Sequence, residues 1–91
     1  MIFKESFLNR LKSQIHYISL DSNNRAIKFK KDLFLKIREI PTKPYSFRKS
    51  IYFEDELIRD LIFKGYTIVF RINNQTIEVF GLINYHENLN D

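Results

Sequence analysis

The groups able to handle phosphate or protons are unevenly spread along these 91 residues. Residues 25–49 carry a formal charge of +7, against +1 for residues 1–24 and −4 for residues 50–91. Within the basic stretch, Lys43, Arg48 and Lys49 fall in a loop, where a cation is placed to meet nucleic-acid phosphate or an acidic protein segment. The competing reading of the same charge is a solvated surface that keeps a basic protein soluble. Arg71 offers a further cation for phosphate, or a cross-strand partner for Glu78. Tyr85 and His86 are the adjacent pair with proton-transfer chemistry, since an unperturbed imidazole titrates near pH ~6.5 and a phenol both donates and accepts. A lone histidine near a C-terminus is also commonly a plain surface residue, and His16, beside apolar helix positions, reads as structural. Glu54, Asp55 and Glu56 are successive carboxylates of one extended segment; they point different ways and offer no convergent metal site. With no cysteine there is no disulfide, thiolate zinc site or cysteine nucleophile. No glycine-rich phosphate loop or hydrolase elbow is present either, so neither cofactor nor metal is expected.

The elements that must position these groups can be read from periodicity. Residues 1–6 open as a short strand. Phe7, Leu8, Leu11, Ile15 and Ile18 recur at helical spacing, giving a first helix to about Leu20, and Ala26, Phe29, Leu33, Ile37 and Ile40 give a second. The break at residues 21–24 is rich in helix-capping types and short enough to force an antiparallel hairpin. Pro41 and Pro44 stop the second helix, leaving residues 41–50 as a loop. Three strand-like runs then follow, residues 57–63, 66–72 and 76–83, joined at Lys64-Gly65 and Asn73-Asn74 as an antiparallel meander. The fold class is α+β: an N-terminal strand and a helical hairpin packed on the C-terminal meander, in one domain over residues 1–91. The longest apolar runs are three residues, no membrane span is expected, and the N-terminus does not read as a signal peptide. The expected location is the cytoplasm.

A two-residue turn at Lys64-Gly65 sets Phe63 opposite Tyr66, Leu61 opposite Ile68 and Arg59 opposite Phe70. Tyr66, Ile68, Phe70 and Ile72, joined by Ile77, Val79 and Ile83, form the face expected against the helices. The reverse face mixes Ile58, Ile62, Val69, Phe80 and Leu82 with Asp60, Thr67, Arg71 and Glu78, more apolar than a solvated face usually is. Arg59 lies on the core side, where a charge needs a partner; Glu56 or Asp55 is the expected one, the alternative being that Arg59 emerges at the sheet rim and contacts the target.

This arrangement resembles the RelE/ParE superfamily of toxins from bacterial type II toxin-antitoxin modules. Arg59, Tyr66, Ile68, Val69, Phe70 and Ile72 match the family's arginine, strand, turn and aromatic-apolar strand. Tyr17-Ile18 with Asp21-Ser22-Asn23, Ala26 and Phe29 resembles the hairpin hinge of ParE-type members, and Thr76-Ile77-Glu78-Val79-Phe80 resembles their last strand. Two positions depart from the pattern of RNA-cleaving members: Thr67 stands where many carry arginine, and Asn84-Tyr85-His86-Glu87-Asn88 replaces a histidine followed by basic residues.

The resemblance implies a toxin of growth-inhibiting, plasmid-stabilising modules, held inactive by a cognate antitoxin. ParE-type members target DNA gyrase and do not need the missing basic groups, so gyrase inhibition is the first expectation. The alternative is a metal-independent, ribosome-dependent mRNA endonuclease with Tyr85, His86 and Arg71 catalytic and Arg48, Lys49 and Lys43 on phosphate. A third is a degenerate member that binds antitoxin without toxicity. The expected antitoxin contacts are Ile62, Val69, Arg71, Phe80 and Leu82.

Overall fold

A computed structural model describes residues 1–84. A short strand β1 (Ile2–Phe3) leads into α1 (Glu5–Ser19) and α2 (Asn23–Ile37), then two 3₁₀ turns (Ile40–Thr42 and Pro44–Ser46) and β2 (Arg48–Lys49). The meander β3 (Ile58–Phe63), β4 (Tyr66–Asn73) and β5 (Thr76–Asn84) completes it. The sheet order is β1-β5-β4-β3-β2, with β1 parallel to β5 and every other pair antiparallel. The expected α+β fold is therefore present. The first strand pairs with the last, a placement the sequence leaves open, and the 41–50 segment, expected as a loop, contributes its own edge strand.

Local chemistry accounts for the hairpins. Ser22 caps α2, its Oγ accepting from the Arg25 N–H at 3.2 Å, and Asp21 pairs with Arg25 at 2.6 Å. Asn23 and Asn24 belong to the helix rather than to the break. Lys64 (φ 47°) and Gly65 (φ 82°) both take positive φ, the geometry a two-residue hairpin between right-twisted strands requires. The β3–β4 register follows, with Phe63 opposite Tyr66, Leu61 opposite Ile68 and Ile58 opposite Arg71, as the spacing predicts. The next turn centres on Asn74-Gln75, one residue later than expected, with Asn74 at φ 55°.

Phe7 and Leu11 of α1 and Phe29, Leu33 and Ile37 of α2 are buried against Leu61, Ile68, Phe70 and Val79 of the sheet. Leu8, on the flank of the α1 stripe, stays exposed. Asp32 ties α2 to the β3–β4 turn, its carboxylate 3.1 Å from the Lys28 ammonium and 3.6 Å from that of Lys64. The hydrogen bond from Lys28 is the main reason its carboxyl is held below the ordinary aspartate range.

One irregularity in β5 decides which residues face where. Val69 is opposite Gly81 but Phe70 is opposite Val79, so Phe80 is an extra residue with no partner on β4. Beyond this bulge the alternation inverts. Leu82, opposite Ile68, enters the core, and half-buried Ile83, opposite Thr67, lies on the reverse face, the opposite of the even alternation expected for both. Phe80 and Gly81 consequently share the reverse side against one residue, Val69. A Cβ at position 81 would sit 3.1 Å from the Val69 Cβ and 3.3 Å from its Cγ2, which explains a glycine in mid-strand. The outer edge of the bulged strand is closed by the start of the chain. Val79 O accepts from the Lys4 N–H (2.8 Å), Phe80 O from Ser6 Oγ (2.7 Å) and Leu82 O from Arg10 Nε (3.2 Å). β1 and α1 thus seal an edge that would otherwise present unpaired carbonyls.

Two outcomes follow. Gly81→Ala should lower stability by about 1–3 kcal/mol in thermal or urea unfolding, the cost of overpacking against Val69, itself buried in the central strand. Asp32 has a depressed folded-state pKa, so its contribution is present above the unfolded value and lost as pH falls through the folded one. Lys28→Gln should raise the Asp32 carboxyl midpoint in an NMR titration and shrink that acid-range loss.

Candidate functional site

On the reverse face, Asp60 on β3 and Val69 on β4 are opposite each other, with Arg48 of β2 on the far side of Asp60. The centre of this face is closed to solvent: Asp60 and Val69 are each 2% exposed and Ile58 is 4% exposed. Two helices cannot reach it, because both pack on the other side. What covers it is the chain between β2 and β3. The Ile51 N–H donates to Asp60 Oδ2 at 3.2 Å, turning the backbone back over the strand it has just left. The Phe53 ring then meets Phe80 of β5 edge-on, with centroids 5.6 Å apart. Asp55 O accepts from the Ile58 N–H at 3.0 Å, and Asp55 Oδ1 accepts from the Leu57 N–H at 2.9 Å, returning the chain to β3. Residues 51–56 therefore form a roof across β3 and β4 to β5.

Asp60 pins that roof. Its Oδ2 also accepts from Arg48 Nη2 (3.1 Å) and Nε (3.3 Å). Ser50, buried beside it, donates its N–H to Ile58 O at 2.9 Å and accepts from the Tyr52 N–H at 3.2 Å through its Oγ. Arg59 fixes the other limb of the loop. Its Nε donates to Glu56 O at 2.8 Å, and its Nη1 donates to Phe47 O (3.1 Å) and Tyr45 O (3.4 Å). Its guanidinium lies 5.1 Å from the Tyr45 ring centroid. The expected structural role of Arg59 holds, with backbone carbonyls and an aromatic face in place of a carboxylate.

The expected cations take different positions. Arg48 is engaged with buried Asp60, whereas Lys49 makes only an exposed surface pair with Glu56 at 3.1 Å. Lys43 and Arg71 are exposed and enter no ion pair among the described residues. Arg71 lies opposite Glu78 but does not pair with it; Glu78 accepts from Asn73 Nδ2 at 3.1 Å. Of the expected antitoxin contacts, Ile62, Arg71 and Phe80 reach the surface of the reverse face. Val69 lies beneath the roof, and the bulge turns Leu82 into the core. Tyr85 and His86 lie outside the described residues. Phe53 was not singled out by periodicity, since it belongs to no strand or helix; three successive apolar residues, Ile51-Tyr52-Phe53, in a loop were its signal.

The family model described as "ParE toxin of type II toxin-antitoxin system, parDE" matches residues 1–89. The chain belongs to this family. A search of curated proteins finds no match. The protein is thus the toxin of a type II toxin-antitoxin module, a class of protein that is paired with an antitoxin. In this family member, no helix among the described residues is long and apolar enough to cross a membrane. Its surface on the reverse face is apolar with a cation that enters no ion pair among the described residues: Phe53, Phe80 and Arg71 toward one end, and Ile62, opposite Thr67, toward the other.

Asp60→Ala removes the acceptor of both the Ile51 N–H and Arg48. It should cost about 1–3 kcal/mol of stability, read by urea unfolding, and should speed hydrogen exchange at Ile51. Unchanged exchange there would contradict the pinning role.

Proposed function

We propose that this toxin acts as a ParE-type inhibitor of DNA gyrase in the bacterial cytoplasm, and that a cognate antitoxin neutralises it by covering the reverse sheet face. The observation that carries the reading is the family match over residues 1–89. The electrostatics support it. A metal-independent endonuclease has to hold several uncommitted cations around the scissile phosphate, because they carry its transition-state charge. Here Arg48 is bound to the buried Asp60, Lys49 pairs with Glu56 at the surface, and position 67 of the central strand is a buried threonine, which leaves Lys43 and Arg71 as the expected cations without an ion pair among the described residues. A protein that inhibits by binding needs surface rather than proton transfer.

For the antitoxin, Ile62 and Phe80 supply apolar area and Arg71 an unshared charge, a combination suited to an amphipathic segment bearing a carboxylate. The module would then restrain growth or stabilise a plasmid through the balance of toxin and antitoxin.

Purified toxin should inhibit gyrase supercoiling, and its expression without antitoxin should leave mRNA uncut in primer extension. Cleavage that depends on translating ribosomes would assign the endonuclease mechanism instead, with Tyr85 and His86 the first residues to substitute. Arg71→Glu should weaken antitoxin binding by about tenfold, ~1.4 kcal/mol, in titration calorimetry while leaving the melting temperature within a few degrees.

A further inference from the structure

The roof over the reverse face has the chemistry of a ligand rather than of a core element. Its apolar side chains are only partly buried: Ile51 is 66% exposed, Phe53 45% and Tyr52 41%. It is held at its crossing by two backbone N–H groups on short side chains, Ile51 on Asp60 and Tyr52 on Ser50, and by the Phe53–Phe80 ring contact. A segment with so few buried contacts opens at low free-energy cost relative to the sheet beneath it. Beneath it, Asp60 Oδ1 is fully buried and has no protein donor, although Oδ2 of the same carboxylate has three. A buried, unsatisfied carboxylate oxygen is costly and uncommon. A cleft of about 500 Å³ also adjoins the ring contact, lined by Phe53, Val69, Phe80 and Gly81 with Arg10 at its rim.

We propose that residues 51–56 are a displaceable self-ligand: the antitoxin docks by lifting Phe53 off Phe80 and seating an aromatic side chain of its own there, with a neutral hydrogen-bond donor on Asp60 Oδ1. The inference rests on the reading that the antitoxin covers this face. Phe53 shows what the seat accepts, a ring placed edge-on against Phe80. Asp60 is already matched by the Arg48 charge, so the missing contact calls for a backbone N–H or a hydroxyl rather than a second cation. Arg71 beside the seat enters no ion pair among the described residues, so the incoming segment carries a carboxylate there. A second copy of this chain fits poorly, because a two-fold contact across the seat brings one Arg71 toward the other.

Displacement and simple docking on top of the roof predict opposite signs. If Phe53 competes with the antitoxin, Phe53→Ala removes the competitor and tightens binding by about 3- to 10-fold, the range of one aromatic pair. If Phe53 is part of the docking surface, the same substitution weakens binding. The titration uses the full-length toxin and the antitoxin purified from the adjacent reading frame. The toxin has no tryptophan, so Phe53→Trp places a single reporter on the roof. Read as a difference from the unsubstituted complex, its emission should shift to the red as the antitoxin moves it into water, and this holds even if the alanine variant fails to fold. Weaker or unchanged binding of Phe53→Ala, or a blue shift of the tryptophan, would overturn the displacement while leaving neutralisation by that antitoxin intact. Failure of the unsubstituted toxin to bind it would overturn both.

Discussion

Two antiparallel helices can cover one side of a five-stranded sheet, and β3 to β5 carry large apolar residues on both. That mismatch governs much of the molecule. The hairpin buries Ile68, Phe70 and Val79, while Ile58 and Val69 on the other side still have to leave water. A loop that returns over its own strand closes the deficit, and a single carboxylate holds it, Asp60 accepting both the Ile51 N–H and the Arg48 guanidinium. A loop cannot bury a face as a helix does, and this one leaves its own apolar side chains exposed.

The edges and charges fit the same constraint. The bulge at Phe80 bends β5 and leaves several carbonyls facing outward, which Lys4, Ser6 and Arg10 satisfy. At the other edge β2 spans only two residues, both cationic and exposed, a form that discourages edge-to-edge association. The basic half of the sequence is partly consumed by structure: Arg48, Lys49, Arg25 and Lys28 each hold a carboxylate. Of these, only the Arg48 pair reaches a buried carboxylate; the others are at the surface.

What the sequence made legible was local. Helix phase at Phe29, Leu33 and Ile37, the hairpin at Lys64-Gly65 and the β3–β4 register follow from periodicities of 3.6 and 2 and from a turn that needs positive φ. What stayed hidden depended on partners far along the chain. The parallel pairing of Ile2 and Phe3 with Glu78 and Val79 has no local signature. The bulge inverted the placement of Leu82 and Ile83, and its one clue was Gly81 inside a strand. Asp60 reads as an ordinary polar residue of an alternating strand until Arg48 and Ile51, 12 and 9 residues away, are seen to converge on it. The placement of Ile62, Arg71 and Phe80 on the reverse face was legible by alternation, and the seating of Phe53 against Phe80 was not, because a loop residue has no phase.

The central claim is that the reverse face is closed in the free toxin by residues 51–56 and that its partner takes their place. Amide hydrogen exchange of the toxin, free and bound to its antitoxin, tests this most directly. The account predicts faster exchange at Ile51 and Tyr52 in the complex, as their N–H groups leave Asp60 and Ser50, with β3 and β4 as slow or slower. Added protection at Ile51 and Tyr52 on binding would contradict it.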